Sequence, residues 1–327
     1  MISLFALAAT AAAPQPGELK TFRDWIVGCD NGRACQAVAL VPESDYGDDY
    51  LMLVIERGPE AQAKAKLSWA APDGTPRRAT LAVDGKPVAQ LSGTAIEISP
   101  SLAAALAAGG RADVTTAPGA KVGDASLGGL AAAMRYMDDK QKRVGTDTAL
   151  VAKGVAKTVP APTPLPVVTM PPVAAAPPSR FRPADIKKYN GDDGCGVPAD
   201  SFKPEAYRLD ATHTLVMVPS ICGNGAYNYF SMALIVPNSG MPTTLAKFDA
   251  PSSMGEPGNT DPGLVNATYD SKTRRLSTYA KGRGIGDCGV AQQFVWDGSQ
   301  FRLVEQSEMG ECRGSVDYIR TWRATVR

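Results

Sequence analysis

Few residues in this chain could do chemistry, and their types narrow what that chemistry could be. The 327 residues include one histidine, His213, and six cysteines: Cys29, Cys35, Cys195, Cys222, Cys288 and Cys312. A serine or cysteine nucleophile needs a base beside it, usually a histidine. His213 opens an apolar run, His213-Thr-Leu-Val-Met-Val218, and no G-x-S-x-G elbow is present. It reads as a strand-edge histidine bonded to a nearby carbonyl. A triad hydrolase is therefore not expected. With one histidine and no C-x-x-C, neither a metal site nor a cofactor is expected.

Carboxylate chemistry stays open. A glycosidase uses two carboxyl groups about 5 to 9.5 Å apart. Asp192-Asp193, Asp138-Asp139 and Glu308 with Glu311 are available pairs. Each also has a plainer reading: a Gly-rich turn beside Cys195, the solvent face of a helix, and a loop around Cys312. The acidic run Glu43-Ser-Asp-Tyr-Gly-Asp-Asp49 lacks calcium-loop spacing and reads as a solvated hairpin loop. The Gly-rich run Gly282–Gly289 has no following helix and no G-K-[ST] ending, so it reads as a tight turn delivering Cys288 to its partner. No catalytic residue is assigned. A strand-borne aromatic is ordinarily core; the alternative is a binding surface of Tyr227, Tyr229, Arg283, Trp296 and Phe301, with outward-facing aromatics as a platform and Arg283 as a partner for carboxylates.

The cysteines themselves suit an oxidising compartment, since their number is even. Spacing leaves the connectivity open but favours Cys29–Cys35 across the turn Asp30-Asn31-Gly32-Arg33. It also favours Cys195–Cys222 and Cys288–Cys312 in the second half. The N-terminus agrees with export. Ile2 to Ala13 form an apolar run closed by Ala11 and Ala13, the small residues of a cleavage site, though no Lys or Arg precedes it. The expectation is a periplasmic or secreted bacterial protein with a signal peptide over residues 1–13. The 34 basic and 33 acidic residues leave +1, too neutral for a nucleic-acid binder. No mature segment is long and apolar enough to span a membrane.

The elements that must position these residues are mostly strands. Hydrophobic residues at 44% and charged residues at 20% indicate a globular chain. Phe22–Val27, Tyr50–Glu56, Lys64–Ala70, Thr214–Val218, Tyr227–Val236, Leu264–Tyr269 and Arg275–Ala280 have strand patterns. Turns are expected at Asp84-Gly85, Asp270–Thr273 and Asp297-Gly298. One helix is expected after Ser99-Pro100, stopping at Gly109. A second is expected from about Ser126 to Arg143, with Leu127, Leu130, Met134 and Met137 inward and Arg135, Asp138, Asp139, Lys142 and Arg143 outward. Residues 158–179 are Pro/Ala-rich, a semi-rigid spacer or a surface strap. The fold expected is mainly β (α+β). A β-sandwich-like N-terminal domain with two helices spans 18–157, the linker 158–179, and an antiparallel β domain 180–327.

Three runs carry a family resemblance. They are Phe22-Arg-Asp-Trp-Ile-Val-Gly-Cys29 with Asp-Asn-Gly-Arg-Ala-Cys35, the segment from Leu127-Gly-Gly-Leu through Met137-Asp-Asp-Lys-Gln-Lys-Arg-Val-Gly-Thr146, and a C-terminal set. That set is Gly286-Asp-Cys-Gly289, Trp296-Asp-Gly, Phe301-Arg-Leu303 and Glu311-Cys-Arg-Gly314. Together they resemble the bacterial six-cysteine family known as domain of unknown function 1176, over nearly the whole mature chain. The first run alone is also similar to the invasion-associated locus B family of small exported proteins. The resemblance implies export and a shared fold and transfers no catalytic residue. The expected function is non-enzymatic binding of a partner protein or envelope component. The alternative is a carboxylate-type hydrolase acting on a cell-envelope polymer.

Overall fold

The computed structural model describes residues 13–43, 50–71, 74–117, 119–173, 178, 203–220, 224–239, 243–251 and 263–327. The first half contains β1 (Lys20–Phe22), β2 (Trp25–Cys29), β3 (Cys35–Ala39), β4 (Met52–Arg57) and β5 (Lys66–Ala70). Then come β6 (Arg78–Val83), β7 (Lys86–Ser92), β8 (Ala95–Glu97), α1 (Pro100–Ala108), β9 (Arg111–Thr115), β10 (Lys121–Ser126) and α2 (Leu130–Lys140). Two antiparallel sheets result. One has the order β1-β2-β3-β4-β5-β8 and the other β10-β9-β6-β7. Both helices and the inner faces of both sheets share one core, which includes Trp25, Leu53, Leu67, Leu81, Leu106, Leu130 and Met134. This is the sandwich-like arrangement with two helices that the alternating patterns implied.

The second half follows β11 (Val167–Val168). It contains β12 (Glu205–Arg208), β13 (His213–Pro219), β14 (Phe230–Pro237), β15 (Thr244–Leu245) and β16 (Leu264–Val265). The remaining strands are β17 (Thr268–Asp270), β18 (Arg275–Lys281), β19 (Gly289–Trp296), β20 (Phe301–Met309), β21 (Ile319–Arg323) and β22 (Thr325–Val326). One sheet runs β12-β13-β14-β15, with β16 also on β14; the other runs β17-β18-β19-β20-β21. Leu215, Ala233 and Leu264 from the first meet Leu276, Phe294, Phe301 and Trp322 from the second in one core. The described residues are therefore mainly β, in several antiparallel sheets, with no barrel among them. No helix among the described residues is long and apolar enough to cross a membrane.

Local chemistry explains both the successes and the departures. Ser99 Oγ accepts the Leu102 amide at 3.1 Å, Pro100 opens α1 and Gly109 closes it, all as expected. Asp84 (φ 48°) and Gly85 (φ 78°) make the β6–β7 hairpin turn. Phe22–Val27, by contrast, is not one strand. Arg23 takes φ 54° and the chain reverses, so Phe22 pairs with Trp25 across a two-residue turn. Leu264–Tyr269 is also broken: Asn266 takes φ 46° and divides β16 and β17 between the two sheets.

The second helix starts at Leu130, not near Ser126. Gly129 has φ 99°, and a Cβ there would lie 1.7 Å from the Phe22 carbonyl oxygen, so this close approach requires glycine. Val167 and Val168 pair in parallel with Thr325 and Val326, and the Met170 amide donates to the Arg327 carbonyl at 2.8 Å.

Candidate functional site

A cleft of about 570 Å³ opens between the first sheet and the β20–β21 ribbon. Its position follows from how the two halves meet. The outer face of the first sheet presents Ile26 and Val38, which pack on Met309 and Ile319 in a small apolar seam. Farther along, the same sheet carries Gln36 on β3, Glu56 on β4 and Lys66 on β5, which stand abreast in register. There the seam gives way to the cleft. Glu305 and Ser307 of β20 and Arg320 and Arg323 of β21 line the other wall, with Glu305 opposite Arg323 and Ser307 opposite Arg320. Gln36 joins the walls by accepting the Arg320 amide at 3.0 Å.

Charged clamps hold the walls together, and each adjoins a disulfide. Cys29 pairs with Cys35 and Cys288 with Cys312, two of the three pairings that spacing favoured. Asp30 follows Cys29 and is buried. Its carboxylate accepts the Gly32 and Ala34 amides at 2.8 and 2.9 Å and pairs with Arg323. Beside it, the Asn31 amide donates to the Arg323 carbonyl and accepts its N–H, both at 2.9 Å, prolonging β21 as a strand would. Arg313 follows Cys312. Its guanidinium donates to Asp24 Oδ1 at 2.6 Å and to the Arg23 and Val41 carbonyls at 2.8 Å each. The tight β1–β2 turn is thus fixed by a residue almost 290 positions away. Asp287 precedes Cys288, accepts the Gly314 amide at 2.7 Å and pairs with Arg283, which holds its carboxyl below the usual range.

A second polar knot lies beneath the cleft, and the sequence placed it wrongly on solvent. Asp138 and Arg143 are both 0% exposed. Asp138 accepts Arg57 at 2.8 Å and the Leu150, Val151 and Ala152 amides at 2.8 to 3.1 Å. Gln141 bonds Arg57 Nε and donates to the carbonyls of Arg33, Arg57 and Gly58. Arg143 holds the carbonyls of Glu60 and Ala61 and the Thr148 hydroxyl. Burial pulls the Arg57 guanidinium down, with Asp138 opposing it. The helix ends at Lys140 and Lys142 takes φ 58°, so Gln141 and Arg143 turn inward instead of continuing the outer face. The knot ties the 145–156 loop to the strand that carries Glu56. Asp138-Asp139 is therefore not a solvent pair: Asp138 is spent on an internal ion pair.

The other sequence-derived candidates scatter. Trp296 (3% exposed) and Phe301 (0%) belong to the second core and form no surface, because sheet-on-sheet packing covers them. Tyr229 is 59% exposed and Tyr227 half-buried, while Arg283 is engaged by Asp287. Tyr227 stands near Gly284 in the Gly-rich turn, and its hydroxyl lies 3.5 Å from the Gly282 carbonyl. The structure thus brings Tyr227 to the Arg283 loop but leaves Trp296 and Phe301 in the interior.

His213 bonds the Asp210 carboxylate at 2.9 Å and not a carbonyl, with Trp296 Nε1 on the same carboxylate at 2.7 Å. Burial alone would raise Asp210, yet hydrogen bonds from Thr212, Trp296 and His213 hold it down to about 2. Glu308 is half-buried and raised by desolvation; Glu311 instead accepts the Thr21 hydroxyl at 2.8 Å. The pair is thus split between unlike surroundings. Cys195, Cys222, Asp192, Asp193 and most of the 43–49 loop lie outside the described residues. Among the described residues no group of three or more His, Cys, Asp or Glu is placed to hold a metal.

The cleft residues escaped the sequence reading because Glu56, Lys66, Glu305 and Arg320 look like ordinary solvent positions of alternating strands. A usable signal lay in the motifs flanking the cysteines, whose Asp30 and Arg313 build the clamps. Comparison with known proteins gives the same extent as those motifs. A family model described as protein of unknown function (DUF1176) matches residues 19–326. The uncharacterized protein YpfG of Escherichia coli (strain K12) is 31% identical over 341 residues, covering 95% of this chain and 94% of that protein. No solved structure matches. With both clamps, both paired disulfides and the cleft inside the matched region, the chain belongs to the DUF1176 family.

Proposed function

We propose that this is an exported bacterial envelope protein that binds a partner protein or envelope component in the junction cleft and does not transform it. The observation carrying this reading is the cleft itself: a polar recess of ligand-site size whose walls are fixed by buried clamps. Preorganised walls favour binding because little ordering remains to be done when the ligand arrives. Export is supported by the two cysteine pairs and by the apolar N-terminal run with its Ala-x-Ala end. The same reading takes residues 18–157 and 180–327 as two domains joined by the strap.

The carboxylate-hydrolase alternative draws on Glu56 and Glu305, which line opposite walls. A glycosidase general acid sits in apolar surroundings. Here each carboxylate faces a basic residue across its strand pair, Lys66 or Arg323, and binding ranks first.

The test is fractionation followed by capture. The tagged chain should appear in the periplasm without its first 13 residues and with no titratable thiol. It should retain an envelope component that the Glu56→Gln/Lys66→Met/Glu305→Gln variant loses. Cytoplasmic retention with reactive thiols would contradict export. Capture unchanged in the triple variant would contradict the cleft.

A further inference from the structure

We propose, building on that reading of the cleft, that its ligand is a peptide segment bearing ammonium and carboxylate groups together. Some of the charges in the cleft are already used. Arg323 is committed to buried Asp30. Glu56, Glu60, Lys66 and Glu305 have no ion-pair partner among the described residues, although all four line one recess. Arg320 also pairs with Asp30, at 3.6 Å, although its Nε has no hydrogen-bond acceptor. The cleft therefore offers carboxylates on both walls and the Lys66 ammonium on one, none of them held in an ion pair among the described residues.

That arrangement excludes the other ligand classes in turn. A polyanion would meet the carboxylates of Glu56, Glu60 and Glu305, and a polycation would meet Lys66 and Arg320. Like-charge juxtaposition of this kind suppresses wrong partners. A sugar ring is ordinarily held against an exposed aromatic face. The aromatic lining residue, Tyr318, has its hydroxyl within 3.1 Å of both the Gly286 carbonyl and the Tyr279 hydroxyl, which ties it to the C-terminal sheet. An apolar ligand would leave the charged walls desolvated without partners. An amphoteric peptide satisfies both signs at once, and Gln36 and Ser307 add neutral hydrogen-bonding groups between them.

The experiment uses the mature, disulfide-bonded protein and four probes measured by calorimetry. The probes are an eight-residue peptide alternating lysine and glutamate, the same peptide with acetylated lysines, the same peptide with glutamines for glutamates, and a neutral N-acetylglucosamine oligosaccharide. The alternating peptide is expected to bind. Each charge-stripped peptide should bind at least about tenfold more weakly, a difference of about 1.4 kcal/mol. Glu305→Gln and Lys66→Met should each weaken the alternating peptide by a similar factor, with unchanged melting curves because neither residue is buried or held in an ion pair among the described residues. Binding should also fall as salt is raised.

Preference for the oligosaccharide, lost in the cleft variants, would overturn the peptide class and leave the cleft as the site. Peptide binding untouched by the cleft variants would overturn the site. No binding of any probe, alongside cleft-dependent capture from periplasm, would overturn the ligand class alone.

Discussion

Asp138 shows how much one buried carboxylate can organise. It neutralises Arg57, faces the field of Arg143 and receives three consecutive amides of the 150–152 segment. Removing one member of such a set leaves an uncompensated charge in the interior, which costs about 3–5 kcal/mol. Asp138→Asn should therefore lower the urea midpoint by that equivalent and speed amide exchange at Leu150–Ala152. A midpoint shift under about 1 kcal/mol would mean that the knot is not structural.

Asp210 makes a separate, pH-dependent contribution. Its folded carboxyl titrates near 2, below the unfolded value, so its stabilisation is complete above about pH 4 and is lost as pH falls through 2. The size is about 2 kcal/mol. Asp210→Asn should flatten the acid limb of the stability curve between pH 4 and 2, followed by Trp296 fluorescence.

At the scale of elements, the disulfides act as mounts for the clamps. Cys288–Cys312 spans 24 positions, and in the chain-entropy model its loss costs about 3 kcal/mol. The local effect is more diagnostic. Replacing both cysteines by serine should loosen Arg313 and raise exchange at the Arg23-Asp24 turn, far away in sequence. Exchange unchanged at that turn would separate the disulfide from the clamp. The strap has its own expectation. Pro166 to Met170 are hydrogen-bonded to the C-terminal strand, so limited proteolysis should spare them. Cleavage there before any other site would contradict the pairing.

Much of the fold was legible where local chemistry decides the outcome. The Ser99-Pro100 cap, the Asp84-Gly85 turn and the strand alternation each rest on neighbouring residues. The failures share a different cause. Arg23 turns because Arg313 holds its carbonyl, α2 starts late because Gly129 abuts Phe22, and Asp138 is buried because Arg57 comes from another strand. Trp296 and Phe301 likewise depend on which sheet covers them. These are long-range facts, and periodicity along one segment carries no information about them.

At the scale of the whole molecule, the two halves meet through a narrow apolar seam and a set of charged clamps. The cleft is what the seam leaves open. This accounts for a motif set that reaches from the Phe22 hairpin to Arg313: the ends of the chain must agree for the walls to align. In the proposed function these walls form the binding surface, and hydrogen–deuterium exchange of the mature protein with and without periplasmic extract checks this. New protection is expected, confined to the strands carrying Gln36, Glu56 and Lys66 and to those carrying Glu305 and Arg320. Protection centred on Tyr227 and Tyr229, with the cleft strands unchanged, would contradict it.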